Sequence, residues 1–239
     1  NTLPQKQKLV FQMKYEQEMK FKDISEILGT SVGALKASYH LAVKKIAEIA
    51  QSNNIKLIHI STDFVFDGFK SQPYLESDAA DPLNIYGKTK LAGENAIIST
   101  MKFNAIIIRT SWVYSEYGNN FVDTILKLGK NGNELNVVSD QIGTPTYASD
   151  LGLAILNIIR SEKFNRNEQE SQIYHYSNKG FCNWYDFANE IIKILGSNCI
   201  LNSIKTEDYL TTAKRPRSTV MSTDKISQEF NLKINYWKD

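Results

Sequence analysis

The sequence predicts an α/β protein whose parallel sheet is preceded by an all-α segment. Apolar residues recur at helical spacing through residues 1–52. From Ile55 onward, short apolar runs suited to buried strands alternate with helical segments, which is typical of a parallel sheet. The chain has 239 residues, and 42% of them are hydrophobic. We therefore expect a substantial core, in one large domain or in a large and a small one.

The first 52 residues predict a helix, a short helix, a turn and a long helix. Gly29 suits the C-terminal cap of the short helix, and Ser31 suits the N-cap of the long one. Two helices joined by such a turn form a helix-turn-helix. In the long helix, apolar side chains repeat at helical spacing, which predicts one buried stripe: Val32, Leu35, Tyr39, Val43, Ile46 and Ile49.

The remainder of the chain alternates strands and helices. Residues 57–60 predict a strand that is buried on both faces, and residues 105–111 predict a second one. Between them lie a turn-rich stretch over residues 67–84 and a helix over residues 86–98. Further along we expect helices near 119–130, 148–160 and 184–195, a strand near 135–139 and a polar surface loop over 161–172.

Charge and composition narrow the class of protein. The net charge is +2, but residues 1–56 hold nine Lys against five acidic residues, so nucleic-acid contact through this segment is allowed. Cys182 and Cys199 suggest neither a disulfide scaffold nor a metal site. Because no stretch has the length and apolarity of a membrane span or the pattern of a signal peptide, we expect a cytoplasmic protein with no membrane partner.

A hydroxyl, a phenol and an amine form the most informative pattern. Ser61 and Thr62 end the first predicted strand, at the edge where open α/β sheets bind their ligands. Tyr86 and Lys90 are four residues apart on the next helix, so they face the same way. An ammonium group beside a tyrosine stabilises the phenolate, which suits the phenol to proton transfer. With Thr62, or Ser61, bound to the substrate oxygen, the set is suited to adding a hydride and a proton across a carbonyl.

Six sequence runs extend this pattern over about 190 residues. Residues about 47–239 resemble the dTDP-4-dehydrorhamnose reductase family, an extended short-chain dehydrogenase/reductase group. The resemblance implies a truncated Rossmann-like parallel sheet with a substrate-binding subdomain. It also implies reduction of dTDP-4-dehydro-6-deoxy-L-mannose to dTDP-L-rhamnose with NADPH or NADH, and it allows a homodimer. The matching runs are Ser61–Gly68, Asp81–Glu94, Arg109–Tyr114, Gly118–Phe121, Ser139–Thr146 and Arg215–Arg217.

The resemblance also implies a role for each matching residue. Thr62 would orient the keto oxygen, Tyr86 would donate the proton, and Lys90 would assist Tyr86 and hold the nicotinamide ribose. Ser61 would border the cofactor beside Tyr86 and Lys90. The nucleotide-sugar site would be lined by Trp112, Asn120, Gln141 and Arg215. In the alternative interpretation, Trp112 is an ordinary core residue and Arg215 a solvated surface charge.

The glycine-rich phosphate loop of such reductases has no counterpart ahead of Ser61. Only Gly29 and Gly33 precede it, and they flank a turn between two predicted helices rather than following a strand. We therefore expect the first four strands of the usual sheet to be absent and an apolar strand edge to be exposed. We also expect cofactor binding to be weaker by several kcal/mol, since each charge-assisted hydrogen bond contributes roughly 1.5–3 kcal/mol, and turnover to be impaired.

Residues 3–46 instead resemble region four of an extracytoplasmic-function sigma factor. The runs that carry the resemblance are Leu3–Phe11, Phe21–Gly29 and Ser31–Lys45. In that family the second helix of a helix-turn-helix enters the major groove of promoter DNA. The resemblance implies promoter DNA or RNA polymerase as partners, with base contacts near Lys36, Ser38, Tyr39 and His40, and phosphate contacts from Lys44 and Lys45.

Two segments of different ancestry predict a chimera. We expect a helix-turn-helix over residues 1–46 and a reductase-like domain over residues 47–239. Three interpretations stay open: a reductase, a DNA-binding module with a reductase-derived appendage, and a hybrid without function. In the second interpretation, the opening helices bind DNA. In the third, they serve only as packing material.

Overall fold

The structure is a computed structural model that describes residues 4–15, 19, 21–130, 134–166, 169–209 and 213–239. Its α-helices are α1 (Gln5–Tyr15), α2 (Phe21–Leu28), α3 (Val32–Ser52), α4 (Ile85–Thr100), α5 (Phe121–Gly129), α6 (Ala148–Arg160), α7 (Glu162–Asn165), α8 (Trp184–Leu195) and α9 (Asp224–Phe230). Its strands are β1 (Leu57–Thr62), β2 (Ala105–Thr110), β3 (Val113–Tyr114), β4 (Leu135–Val138), β5 (Ile142–Gly143), β6 (Thr146–Tyr147), β7 (Gln172–His175), β8 (Cys182–Asn183) and β9 (Leu201–Ile204).

The first three helices form the predicted helix-turn-helix arrangement. Gly29 ends α2 with a φ of +56°, a left-handed conformation that glycine adopts without a steric penalty. Ser31 caps α3, because its hydroxyl accepts a hydrogen bond from the Ala34 amide at 3.2 Å. α3 then continues without a break to Ser52, so the boundary predicted at residues 46 and 47 falls inside one helix. A small apolar core joins the three helices: Val10, Met13, Ile24 and Leu35.

The predicted parallel sheet is confirmed. It has the strand order β1-β2-β7, and both pairs are parallel, with Leu57 opposite Ala105 and Ile106 opposite Gln172. β2 is central and all six of its residues are buried, as predicted. β1 pairs only with β2 in the part of the chain that is described, and residues 57–60 stay partly exposed. The prediction that this strand is buried on both faces is therefore wrong for residues 57–60, because β1 lies at an edge.

Helices cover both faces of the sheet. On one face, α3 packs along α4 over β1 and β2, and the two helices and two strands share a core that includes Tyr39, Val43, Ile97 and Ile107. On the opposite face, residues of α6 and α9 pack against Ile106 and Ile108 of β2. The helix predicted to precede β1 thus serves both segments, since α1 and α2 pack on its first half and α4 packs along it.

A second core lies beyond the sheet. α5 packs against α8, and the short parallel pair β4–β9 joins them around Phe187, Ile191 and Trp237. The sequence interpretation identified α5, β4, α6 and α8, but it gave no β7, β9 or α9. The polar stretch predicted as a surface loop contains the short helix α7, and residues 167–168 of that stretch lie outside the described residues.

Among the described residues, no helix combines the length and the apolar character needed to cross a bilayer. The same residues contain no group of three or more His, Cys, Asp and Glu side chains that could hold a metal ion.

Candidate active site

The candidate site lies where β1 ends and α4 begins. Thr62, the last residue of β1, is buried and caps a short 3-10 turn over residues 63–65. Its hydroxyl lies 3.0 Å from Oδ1 of Asp63 and accepts the Phe64 amide at 3.2 Å. The hydroxyl predicted to bind a substrate oxygen thus donates to a neighbouring carboxylate in this structure.

Asp63 is the buried acid behind that hydroxyl. Its second carboxylate oxygen accepts the hydroxyl of Thr219, so the C-terminal part of the chain is tied to the end of β1. Burial raises the pKa of Asp63 to about 6, although the hydrogen bonds from Thr219 and Thr62 favour the carboxylate. The sequence interpretation did not single out Asp63, because an acid after a strand end is common and nothing local indicated its burial.

The Ser61 hydroxyl bonds a different acidic residue from the one that Thr62 bonds. Successive residues of a strand point to opposite faces, so the Ser61 and Thr62 hydroxyls reach different partners. The Ser61 hydroxyl donates to Oε1 of the buried Glu94. Glu94 also accepts three bonds from Arg109 of β2, with Nη2 to Oε2 at 2.7 Å and Nε to Oε1 at 3.1 Å and to Oε2 at 3.2 Å. Ser61, predicted to border the cofactor, is therefore part of a buried ionic network.

α4 presents Tyr86 and Lys90 one helical turn apart, as predicted. Asn84 caps the helix by accepting the Gly87 amide at 2.9 Å. Gly87 is required there, since a Cβ atom would lie 2.1 Å from the Phe64 carbonyl oxygen. This close approach presses the first turn of α4 against the turn that follows Thr62, and the rings of Phe64 and Tyr86 meet edge to face at 5.9 Å.

The two side chains differ in burial. Tyr86 is 44% exposed, whereas Lys90 is 9% exposed. The Lys90 ammonium donates to the Ile60 carbonyl oxygen at 2.6 Å and lies 5.8 Å from the centre of the Tyr39 ring. Burial lowers the pKa of Lys90 to about 8, and the nearby Glu94 carboxylate opposes part of that shift.

His59 lies near the same ammonium and was not singled out from the sequence. Burial, followed by the charge of Lys90, lowers the pKa of His59 to about 3. Its Nε2 has no hydrogen-bond partner among the described residues. The imidazole is therefore neutral at physiological pH, and the ammonium is the charged group at this edge of the sheet.

The predicted nucleotide-sugar residues occupy different positions. Gln141 and Arg215 line one cavity of about 360 Å³, beside Phe121, Trp184 and Tyr209. Gln141 is buried and its Nε2 donates to the Thr206 hydroxyl at 3.0 Å, whereas Arg215 is exposed. The cavity lies between α5, β4 and α8, and its aromatic wall suits a nucleobase.

Trp112 and Asn120 lie beside this cavity rather than in its lining. Trp112 stacks on Trp184 with 3.5 Å between ring centres, and Gly143 admits it because a Cβ atom there would lie 2.6 Å from the indole. Asn120 caps α5, since its Oδ1 accepts the Asp123 amide at 3.1 Å and its Nδ2 donates to the Ser115 carbonyl. Trp112 thus supports the aromatic wall, and Asn120 has a helix-capping role.

Trp184 and Tyr209 were missed by sequence reasoning. They lie more than 40 residues downstream of the α5 and β4 residues that share the cavity with them. An aromatic residue at the start of an amphipathic helix gives no local sign of whether it enters a core or a cavity. Only the packing of α8 against α5 brings Trp184 to this wall.

The described residues lack a turn that could hold the pyrophosphate of a nicotinamide cofactor. Near the end of β1, Tyr86 is exposed, whereas Lys90 is buried and its ammonium donates to the Ile60 carbonyl oxygen. The pyrophosphate end needs a glycine turn between a strand and a helix. Gly29 and Gly33 instead lie between α2 and α3, and the described residues form no strand ahead of β1. No pyrophosphate loop of this kind is present in the described part of the chain.

The six residues predicted for DNA contact do not share one surface. Tyr39 is only 7% exposed and packs in the core between α3 and α4, so it is not available to a base in this arrangement. His40 is partly buried, and Lys45 pairs with Glu48 at 3.1 Å. Lys44 is exposed, while Lys36 and Ser38 are partly exposed.

Comparison with known proteins covers nearly the whole chain. The family described as "RmlD substrate binding domain" matches residues 34–239, and "Sigma-70, region 4" matches residues 1–46. The two matches overlap over residues 34–46, which lie within α3. The predicted resemblance of the N-terminal segment to a sigma region 4 is thereby confirmed.

Curated relatives and solved structures agree with the larger match. The dTDP-4-dehydrorhamnose reductase of Aggregatibacter actinomycetemcomitans is 42% identical over 203 residues, which cover 82% of this chain and 68% of that protein. The crystal structure of the Bacillus anthracis enzyme in complex with NADP is 35% identical, with a TM-score of 0.77 over 83% of this chain and 68% of that one. A Clostridium acetobutylicum reductase structure is 38% identical, with a TM-score of 0.75 over 82% of this chain and 67% of that one. This chain belongs to the dTDP-4-dehydrorhamnose reductase family.

Proposed function

We propose that this chain carries out NAD(P)H-dependent reduction of dTDP-4-dehydro-6-deoxy-L-mannose to dTDP-L-rhamnose, as an oxidoreductase of dTDP-rhamnose synthesis. The supporting observation is the contact of Gly87 with the Phe64 carbonyl, which joins the first turn of α4 to the end of β1. This contact keeps Tyr86, Lys90 and Thr62 in one region of the fold. The family membership of the chain supports the same reaction.

The chemistry requires one hydride and one proton. When bound, NADPH or NADH would supply the hydride to the C4 carbon while the C=O π electron pair passes to the oxygen. Tyr86 gives its phenolic proton to that oxygen, so the product is an alcohol. Tyr86 is 44% exposed, which lets solvent return a proton to the phenolate after the product leaves.

The cavity lined by Gln141 and Arg215 supports binding of the nucleotide half of the substrate. Trp184 and Tyr209 offer aromatic faces to the thymine, and the Arg215 guanidinium offers a charge to the diphosphate. The stacked pair of Trp112 and Trp184 holds one wall of this cavity rigid.

We further propose that the reaction is slow at ordinary cofactor concentrations. The described residues lack a glycine turn for the pyrophosphate, and each charge-assisted hydrogen bond lost costs roughly 1.5–3 kcal/mol of binding. Weak cofactor binding raises the KM for NADPH or NADH, while the proton-donating part of the site is unaffected.

Oxidation of NADPH in the presence of the dTDP-4-keto sugar tests the proposal, with dTDP-L-rhamnose identified by chromatography. We expect turnover at millimolar cofactor, and a loss of at least about 100-fold in Tyr86→Phe, because a positioned general acid contributes 10²–10⁴-fold. Tyr117→Phe is the matched control, since Tyr117 is 83% exposed and lies outside the site. A wild-type chain with no turnover at millimolar cofactor, or a fully active Tyr86→Phe, contradicts the proposal.

A second candidate function is promoter binding through α3. The match of residues 1–46 to sigma region 4 favours it, and Lys44 is exposed on that helix. The burial of Tyr39 against α4 limits the surface that could reach a major groove. Retardation of promoter DNA that falls steeply with salt, and that is weakened in Lys44→Gln, tests this function. RNA polymerase as a partner and a homodimer remain predictions.

A further inference from the structure

A basic cavity adjoins the candidate active site and is separate from the nucleotide-sugar cavity described above. It has a volume of about 420 Å³ and is lined by residues from three separate parts of the chain. Lys36 comes from α3, Lys88 from the first turns of α4, and Lys214 from the segment just before Arg215. Tyr86 lines the same cavity. The helical segment and the reductase segment thus contribute to one concave surface.

The charges of this cavity are not compensated. Its lining contains three lysines and no acidic residue. Within the described part of the chain, none of these three ammonium groups forms a hydrogen bond or an ion pair with a side chain or backbone group. Other lysines do, since Lys70 pairs with Asp78 and Lys127 with Asp123. Three unpaired ammonium groups around one hollow repel each other, and a bound anion would relieve that repulsion.

The cavity is held together by one residue. Asn84 caps α4 by accepting the Gly87 amide, and its Nδ2 donates to the Lys214 carbonyl oxygen at 2.9 Å. The segment that carries Lys214 is therefore fixed to the start of α4. The N-terminus of this 16-residue helix adds a partial positive charge beside the lysines. Three lysines beside a helix N-terminus favour an anion with several oxygen atoms over a single diffuse counterion.

We propose that Lys36, Lys88 and Lys214 form a binding site for the diphosphate group of a nucleotide. The ligand class follows from three lysines that line one hollow beside Tyr86, a hollow large enough for two phosphate groups. The choice of a nucleotide, rather than free pyrophosphate, rests on the proposed function. A nicotinamide dinucleotide and a dTDP-sugar share this chemistry, and the experiment distinguishes them.

Calorimetric titration of the full chain with inorganic pyrophosphate, with NADP and with dTDP tests the site directly. We expect pyrophosphate to bind at low salt, and each of Lys36→Gln, Lys88→Gln and Lys214→Gln to weaken it about tenfold, as the loss of one charge-assisted hydrogen bond implies. Lys36→Arg should retain binding, because it keeps the charge. Lys22→Gln and Lys233→Gln are matched controls, since both lysines are exposed, unpaired in the described residues and outside the cavity.

The titrations with NADP and with dTDP identify which ligand carries the diphosphate. If Lys36→Gln weakens the binding of NADP alone, the cofactor is the ligand. If it weakens the binding of dTDP alone, the sugar nucleotide is the ligand. Weaker binding of both supports a shared site. Unchanged affinity for pyrophosphate in all three Gln variants overturns the proposal. Loss of duplex DNA binding in Lys36→Gln without any change toward pyrophosphate overturns it as well.

Failure of this proposal and failure of the reductase function remain distinguishable. The titration has no turnover step, so an inactive chain that binds pyrophosphate through these lysines refutes only the reductase function. An active chain whose Gln variants bind pyrophosphate normally refutes only the diphosphate site. Unchanged melting temperatures in the Gln variants serve as the control for folding.

Discussion

The ammonium group of Lys90 donates a hydrogen bond to the carbonyl oxygen of Ile60 at 2.6 Å. In a strand, the backbone groups of successive residues point alternately to the two edges. The Leu57 amide bonds the Asn104 carbonyl next to β2, so the groups of Ile58 and Ile60 point to the opposite edge of β1. Lys90 thus satisfies a carbonyl at the edge of the sheet that has no neighbouring strand among the described residues.

This position predicts a specific pH dependence of stability. Burial lowers the pKa of Lys90 from 10.5 to about 8. Below pH 8 the folded and unfolded chains both hold the proton, and above about pH 8 the unfolded chain holds more of it. The free energy of unfolding contributed by Lys90 should therefore rise with pH between about 8 and 10.5, by an amount on the order of 3 kcal/mol.

Denaturant unfolding of the wild type and of Lys90→Met, across that pH range, measures this contribution as a difference. The difference is needed because burial raises the pKa of Cys182 to about 12, so the Cys182 thiol lowers stability over part of the same range. Lys90→Met retains this opposing effect and loses only the rise that comes from Lys90. A difference that stays constant from pH 7 to pH 10.5 would show that the ammonium is solvated.

Two glycines of α4 should respond in opposite ways to the same substitution. A Cβ atom at Gly93 would contact Val43 at 3.8 Å and His59 at 3.9 Å, which are ordinary van der Waals distances. Gly93→Ala should then raise the free energy of unfolding by up to about 1 kcal/mol, because alanine favours the helix. A Cβ atom at Gly87 would lie 2.1 Å from the Phe64 carbonyl, so Gly87→Ala should destabilise the chain by about 1–3 kcal/mol.

Activity separates the two variants further. Gly87→Ala pushes the first turn of α4 away from the turn that follows Thr62, so kcat should fall, whereas Gly93→Ala should retain the wild-type kcat. Chemical denaturation and the reductase assay on both variants check these expectations. Equal effects of the two substitutions would contradict the close packing of α4 on the end of β1.

Local pattern predicted the elements whose signal lies in their own residues. The apolar stripe of α3 and the apolar run of β2 are both present. Tyr86 and Lys90 lie four residues apart on one helix, as expected. β7 was missed because Gln172–His175 has little apolar alternation. Its burial depends on pairing with β2, which is more than 60 residues away in sequence.

Tyr39 illustrates how two sequence interpretations compete. Its spacing with Leu35 and Val43 predicts a buried stripe, while the sigma-like resemblance predicts a base contact. The structure places Tyr39 in the core with α4, in agreement with the periodicity. Helical spacing reports burial, whereas a resemblance to a family does not show what this chain packs against that helix.

The buried ion pair of Glu94 and Arg109 should be costly to break. Both side chains are almost fully buried, and Glu94 also accepts the Ser61 hydroxyl. Glu94→Gln leaves the Arg109 charge without its partner, so we expect a loss of about 3–5 kcal/mol in the free energy of unfolding. The double variant Glu94→Leu/Arg109→Met removes both charges and should cost less than Glu94→Gln.

Urea unfolding of the single and double variants measures this difference. Ser61→Ala is a useful companion, because it removes one hydrogen bond to Glu94 and leaves the ion pair intact, with a cost of about 1 kcal/mol. A double variant that is less stable than Glu94→Gln would indicate that apolar packing cannot replace the network at this position.

The last prediction concerns what α3 does for the reductase segment. Tyr39 is 7% exposed, packs with Ile97 and Met101 of the α4 region, and places its ring 5.8 Å from the Lys90 ammonium. Tyr39→Ala should destabilise the chain by about 3 kcal/mol, since it opens a cavity in that core. It should also make Lys90 more reactive toward an amine-labelling reagent at pH 8, because the ring no longer covers the ammonium.

Lys44→Gln, an exposed position on the same helix, should change neither quantity. Thermal unfolding and mass-spectrometric labelling of both variants separate the two roles of α3. If Tyr39→Ala leaves stability and Lys90 labelling unchanged but weakens DNA binding, α3 acts as a DNA-binding helix. If Tyr39→Ala lowers stability and increases Lys90 labelling without changing DNA binding, α3 packs against α4 and shields the active-site lysine.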